Sequence, residues 1–254
     1  MRRSYTLPDG RKVQCRDRQE AASVWEEIVG GGSYAAAATG LGPGDVILDI
    51  GAHIGLAALH FAVVAPGARI LCFEPAPASF SLLRANLDRH VPDAEAVPLA
   101  VGAGPGERDL ACFPRATTFN TLYPDAQDDR RNREAFLANL QIPAVVKRKA
   151  MRELDTLEHC RVRVTTVSDA VAEHHLDEIA LLKIDVERGE QAVLDGIAGD
   201  LWPRVRRGVI EVHDLDGRLG STVSRLEDLG FTVTTRQDAN FTGGSVHVVV
   251  ARRD

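Results

Sequence analysis

No run of apolar residues in this 254-residue chain is long enough to cross a bilayer, since a spanning helix needs about 20 of them. The start, MRRSYTLPDGRK, places Arg2 and Arg3 before no apolar stretch, so no secretory leader is expected and a cytoplasmic location is. Cysteine is sparse. Cys15, Cys72, Cys112 and Cys160 are scattered, without the close pairs of a zinc site or the density of a disulfide scaffold. Lysine occurs four times against twenty-six arginines, a compositional bias rather than a chemical one. The net charge of −6 and pI near 5.8 argue against general affinity for phosphate backbones or anionic lipid. Neither nucleic acid nor a membrane is therefore the expected partner, and the short basic clusters VKRK (146–149) and RVRR (204–207) read as solvated faces. There is no internal repeat and no low-complexity segment.

With 44% hydrophobic and 26% charged residues the composition is that of a soluble globular protein. YTLPDGRKVQC reads as a small hairpin, and 18–29 as a helix with Ala22, Trp25 and Ile28 on one face, closed by the glycines at 30–32. From Val46 the pattern alternates: strand 46–50, helix 54–64, strand 69–73, helix 77–88, strand 95–100. It resumes with strand 161–167, helix 168–175, strand 179–184, helix 189–197, strand 207–213, helix 218–228 and strands 231–236 and 245–251. Alternation of this kind predicts an α/β fold with a mostly parallel sheet covered on both faces, and the last two strands, with no helix between them, predict an antiparallel pair near one edge. We expect an N-terminal extension over 1–40 packed on a domain over 41–254. An insertion at 114–160 breaks the rhythm, and its 114–145 part is expected to act as a lid.

The chemistry gathers at strand ends. In ILDIGAHIGLAAL, a strand ending at Asp49 runs into Gly51 and Gly55 and then a helix. A dinucleotide turn of the G-x-G-x-x-G type would need glycine where His53 and Leu56 stand. An acidic residue here also disfavours a pyrophosphate and favours a ligand with ammonium or sulfonium charge, as in S-adenosylmethionine. The next strand delivers Glu74, followed by Pro75, where a carboxylate can accept hydrogen bonds from a ribose diol. ALLKIDVERGEQAVLDGI delivers Asp185, then Glu187 and Glu190, for which a helix-start role is the plain alternative. RGVIEVHDL brings Glu211 and His213 to the same edge, two apart and so on one face.

GDVILDIGAHIG, CFEPAPASFSLLRANL, TTVSDAV and, most specifically, LLKIDVERGEQAVLDGI resemble the FkbM family of S-adenosylmethionine-dependent methyltransferases, over about residues 40–235. The sequence departs from that family's pattern at His53, where asparagine is usual, and at Arg188, where glycine is usual. The resemblance implies a class I methyltransferase fold, Rossmann-like, with a seven-stranded sheet and an antiparallel C-terminal strand. It implies methyl transfer, most often to a hydroxyl of a small secondary metabolite or sugar. Gly51, Ala52 and Gly55 would then surround the methionine part of the cofactor, with Asp49 and His53 in the same turn; Glu74 and Pro75 would take the ribose, Ala100 and Val101 the adenine. Asp185 or His213, with Glu211 beside them, would serve proton transfer where the methyl points. A divalent metal on Asp185 and Glu211 is a less favoured route to the same end. Trp25 and Tyr34 are candidates to cap the pocket, with plain packing the alternative for Trp25. Two rival readings are a non-catalytic cofactor- or partner-binding protein of this fold and a nicotinamide-dependent oxidoreductase.

Overall fold

The structure is a computed structural model that describes residues 3–152 and 156–253; the expectations that touch residues 1, 2, 153–155 and 254 lie outside the described residues there. The chain opens with an antiparallel hairpin, β1 (Arg3–Thr6) and β2 (Lys12–Cys15). Helix α1 (Arg18–Gly30) follows, its N-terminus capped by Asp17, whose carboxylate accepts from the amides of Gln19 and Glu20. The glycine cluster ends α1, and a second short helix, α2 (Ser33–Ala38), starts at Gly32, which has φ of 71°.

Then come β3 (Val46–Ile50), α3 (Leu56–Val64), β4 (Arg69–Phe73), α4 (Pro77–His90) and β5 (Glu95–Val97). The hairpin is fastened to this unit by Asn86 of α4. Its amide donates to the carbonyls of Gln14 and Ile54 at 3.0 and 2.8 Å and its oxygen accepts from the Gln14 amide at 2.6 Å.

The expected strand over 95–100 is two strands. Pro98 has no amide proton to continue the ladder, so β5 stops at Val97 and β6 (Ala100–Val101) joins a separate three-stranded sheet with β7 (Gly106–Cys112) and β8 (Glu158–Thr165) in the order β6-β8-β7. The strand expected over 161–167 is β8, which starts earlier and lies in this small sheet instead of the main one. Between β7 and β8 the insertion carries α5 (Ala126–Asn139) and α6 (Ala144–Met151).

The chain closes with α7 (Val167–Glu173), β9 (Leu181–Ile184), α8 (Glu190–Asp195), β10 (Arg207–His213), α9 (Arg218–Asp228), β11 (Thr232–Arg236) and β12 (Val246–Arg252). The main sheet has seven strands in the order β11-β12-β10-β9-β3-β4-β5. β12 runs antiparallel to both its neighbours, and the other pairings are parallel.

Period-two alternation builds two cores. Ile47, Ile70, Cys72, Leu181 and Val209 pack with α1, α2 and α3 on one face, while Leu48, Ile50, Leu71, Phe73, Leu182, Ile184, Ile210 and Val212 pack on the other with Val193, Leu194 and Leu226 of α8 and α9. Strand order reverses between β3 and β9. The chain leaves β3 toward β4 on one side and enters β9 from the other, so loops diverge and leave a crevice at the carboxyl ends, where open α/β sheets bind ligands.

Candidate active site

A cavity of about 710 Å³ occupies that crevice. Its floor is Gly51, Ala52 and His53 after β3, Glu74 and Pro75 after β4, and Asp185, Val186 and Glu187 after β9, with Glu211 and His213 of β10 beside them. Helix α1 and Tyr34 close one side, and the insertion closes the top through Thr117, Asn120, Tyr123, Asn132 and Phe136.

The turn after β3 has little freedom. Gly51 has φ of 77°, and a Cβ there would stand 1.7 Å from the carbonyl oxygen of Asp185, so only glycine lets the two strand ends approach. His53 has φ of 51°, in the left-handed region where asparagine and histidine are enriched among residues with side chains. The departure from the family's asparagine therefore keeps the backbone shape. The His53 amide donates to Glu74 Oε2 at 2.9 Å, and the Ala76 amide donates to Glu74 Oε1 at 2.8 Å. Each carboxylate oxygen keeps a lone pair for the cavity. Glu74 is only 6% exposed, and burial, opposed by those two amides, raises its pKa to about 7. A hydrogen-bond chain joins the turn to α1: Thr117 Oγ1 donates to Glu20 Oε2 at 2.8 Å and lies 2.8 Å from His53 Nε2. Since the hydroxyl proton goes to Glu20, His53 donates from Nε2 and Nδ1 is left as an acceptor.

Two residues expected to touch the cofactor do not line the cavity. Asp49 points under the sheet on the face of α3, fully buried, with Oδ1 3.0 Å from Lys183 Nζ. Lys183 also donates to the Gly51 carbonyl at 2.7 Å and stands 3.4 Å from Asp185 Oδ2. The acidic residue in the turn thus neutralises an internal lysine that holds the glycine carbonyl. Gly55, with φ of 89°, starts α3, and a Cβ there would meet Leu83 at 2.8 Å, so it serves close packing. Ala52, His53, Glu74, Pro75, Ala100, Val101 and Asp185 line the cavity, as does Tyr34. Trp25 does not: it packs edge-on against His60, with the Arg11 guanidinium over its ring.

At the far end several carboxylates converge. The Glu27 and Glu211 side chains hydrogen-bond to each other, and burial together with neighbouring carboxylates raises Glu27 to about 7 and Glu211 well above the carboxylate range. Asp185, 31% exposed in its side chain, is the more accessible carboxylate. His213 is not the free base expected. Its Nδ1 is 2.8 Å from Asp128 Oδ2 and its Nε2 3.1 Å from Glu187 Oε2. Burial lowers its pKa, but these two carboxylates win and raise it to about 10, so the ring is an imidazolium at neutral pH. Asp128 is likewise buried, yet hydrogen bonds to His213 and Ser245 hold it down at about 2.

Arg188 links the insertion to the strand end. With φ of 73° it adopts the conformation for which the family's glycine is suited, and its buried guanidinium reaches Asp128 at 3.2 Å, Asp129 at 2.8 Å and the Tyr123 carbonyl at 2.9 Å. Glu20, Glu27, Asp128 and Asn132 escaped the sequence reading. The available signal was spacing: two glutamates seven apart on one helix, and an aspartate and asparagine four apart on another. Glu190 does start α8, where Oε1 accepts from the Arg188 amide at 2.7 Å.

The family model for the methyltransferase FkbM domain matches residues 49–233. The chain belongs to the FkbM methyltransferase family. It is 38% identical over 248 residues to the 31-O-demethyl-FK506 methyltransferase FkbM of Streptomyces tacrolimicus, covering 97% of this chain and 95% of that protein. It is 30% identical over 247 residues to Methyltransferase sdnD of Sordaria araneosa, covering 92% and 90%. Among solved structures, methyltransferase FkbM from Methylobacillus flagellatus KT aligns with a TM-score of 0.54 at 13% identity, over 82% of this chain and 44% of that one, a likeness of fold.

Family and fold imply S-adenosylmethionine as cofactor, and the residues fit it. Glu74 offers two positioned acceptors suited to a ribose diol, and the Gly51 turn brings bare backbone to the cavity between Glu74 and Asp185. Among the described residues no helix is long and apolar enough to cross a membrane.

Proposed function

We propose that this protein methylates a hydroxyl oxygen of a small secondary-metabolite or sugar-like acceptor, with Glu74 holding the cofactor ribose and Asp185 taking the hydroxyl proton. One observation carries this reading: Glu74 and Asp185 end the two strands that flank β3, face one cavity, and have the Gly51 turn between them. Two strand spacings separate them by roughly 10 Å, which leaves room for distinct cofactor and acceptor ends.

S-adenosylmethionine, when bound, supplies an electrophilic methyl group on a sulfonium sulfur. An aliphatic hydroxyl sheds its proton as the new C–O bond forms, so a base beside the acceptor is required. Asp128 and Glu187 favour the protonated ring of His213, and burial raises the proton affinity of Glu27 and Glu211, so these three act as donors or countercharges to the acceptor. Asp185 remains as base, oriented by Lys183 at 3.4 Å from its Oδ2. Ala100 and Val101 give the adenine end its apolar wall. The N-terminal extension and the insertion close the pocket from two sides, and the insertion acts as the lid that excludes water during transfer.

The relative from Streptomyces tacrolimicus, named as a 31-O-demethyl-FK506 methyltransferase, supports a hydroxylated acceptor for this chain. The test is turnover on a panel of polyhydroxylated macrolides and sugars, read as gain of one methyl by mass spectrometry. Asp185→Asn is expected to lower the rate by about a hundredfold or more, the range for a lost general base, with cofactor affinity little changed. Near-normal turnover by that variant removes Asp185 from the role.

A further inference from the structure

We infer that Glu187, Glu211 and His213 form a binding site for one divalent cation at the acceptor end of the cavity, an inference that rests on reading that end as the acceptor pocket. One donor atom from each residue lies within 4.8 Å of the other two. All three residues line the cavity.

The histidine is what distinguishes this cluster from a set of acidic side chains. His213 is 2% exposed, and its Nε2 faces Glu187 Oε2 at 3.1 Å. Its other nitrogen faces Asp128 Oδ2 at 2.8 Å, and Asp128 is itself held by Ser245 at 2.6 Å and Arg188 at 3.2 Å. A carboxylate behind a histidine is the arrangement that orients an imidazole toward a metal and makes it a better ligand. Glu187 is also presented at a cost. It has φ of 52° and the next residue φ of 73°, two successive residues in the left-handed region. The Thr121 hydroxyl bonded to the Glu187 carbonyl and Arg218 bonded to the Arg188 carbonyl hold that bend. Strained backbone kept in place by its surroundings is typical of functional positions.

Lys183 is engaged with Asp49 and Asp185, and Arg188 is directed to Asp128 and Asp129, with Nη1 3.9 Å from Glu187 Oε2. Two carboxylates and one imidazole suit a first-row divalent ion such as Mn²⁺. Adjacent donors around such an ion stand about 3.0 Å apart for bonds of about 2.1 Å, and His213 Nε2 and Glu187 Oε2 are already 3.1 Å apart. As the ion binds, its ligands have to be deprotonated, so protons held on His213 and Glu211 leave to solvent. The ion keeps open positions on the cavity side, where it can take the acceptor oxygen and acidify its hydroxyl next to Asp185.

The probe is Mn²⁺, titrated into chelator-treated full-length protein and followed by the electron paramagnetic resonance signal of the free ion, with S-adenosylhomocysteine titrated into the same samples. Wild type is expected to take up one Mn²⁺ per chain with release of protons, and Glu187→Gln, a change on a partly exposed loop, to bind at least tenfold more weakly; a rise in thermal midpoint with Mn²⁺ in wild type only is the second readout. No uptake by wild type up to millimolar ion, or equal uptake by Glu187→Gln, overturns the metal site. S-adenosylhomocysteine binding by those same samples then leaves the methyltransferase reading standing, whereas its absence removes that reading separately.

Discussion

Asp49 and Lys183 are register partners on β3 and β9, with Oδ1 and Nζ 3.0 Å apart and both side chains buried. The lysine, which lines the cavity, also grips the Gly51 carbonyl, so a pair whose acidic member lies wholly outside the cavity sets the shape of its floor. Breaking a buried pair costs more than the pair contributes, because one charge is left without a partner. Lys183→Met is therefore expected to destabilise the protein by about 3–5 kcal/mol, and the double change with Asp49→Leu to recover a large part of that. Denaturant unfolding of the single and double variants checks this; additive losses would show that the two charges do not act as a pair.

Cofactor affinity is expected to depend on pH through Glu74. Its pKa is raised to about 7 by burial, so below that the carboxyl carries a proton that a ribose diol must displace to find two acceptors. Affinity for S-adenosylhomocysteine should rise as pH increases from 6 to 8, and the corresponding step should vanish in Glu74→Gln. The stability of the ligand-free protein moves the opposite way. Glu74, Glu27 and Glu190 all bind protons more tightly when folded, each with a value of about 7. Their contribution is complete below the ordinary glutamate value and is lost as pH rises through 7. Thermal midpoints at pH 5 and 8 in the absence of ligand, the higher at pH 5 on this component, test the sign.

Arg188→Gly restores the glycine of the family pattern and relieves a positive φ, yet is expected to destabilise. Relief of a left-handed residue is worth about 1–3 kcal/mol, whereas stranding the buried Asp128 and Asp129 costs about 3–5 kcal/mol. Hydrogen exchange should quicken along α5. Unchanged protection there would mean that Arg188 does not anchor the insertion.

Much of the sheet was legible because apolar runs such as VILDI, RILCF and RGVIEVH coincide with β3, β4 and β10. The small sheet was not. β7 reads GERDLAC, whose exposed first half looks like loop, and its partner β8 is over forty residues away with the insertion between. At the site, Glu74 and Asp185 announce themselves as acidic ends of apolar strands. The burial of Asp49 could not be read, because its partner Lys183 comes from a strand far along the chain. The same holds for His213: its place at a strand end was visible, but its charge is set by Asp128 on α5, an element whose docking no local pattern encodes.

One titration tests the assignment of the two cavity ends most directly. S-adenosylhomocysteine added to wild type, Glu74→Ala and Asp185→Asn separates the cofactor end of the cavity from the acceptor end. Wild type is expected to bind it and not NADH. Glu74→Ala should lose about 1.5–3 kcal/mol, the worth of hydrogen bonds to a charged acceptor, and Asp185→Asn should bind within about threefold of wild type, a difference under 1 kcal/mol. Folded wild type that fails to bind S-adenosylhomocysteine, or a Glu74→Ala variant that binds it as tightly as wild type, would contradict the assignment.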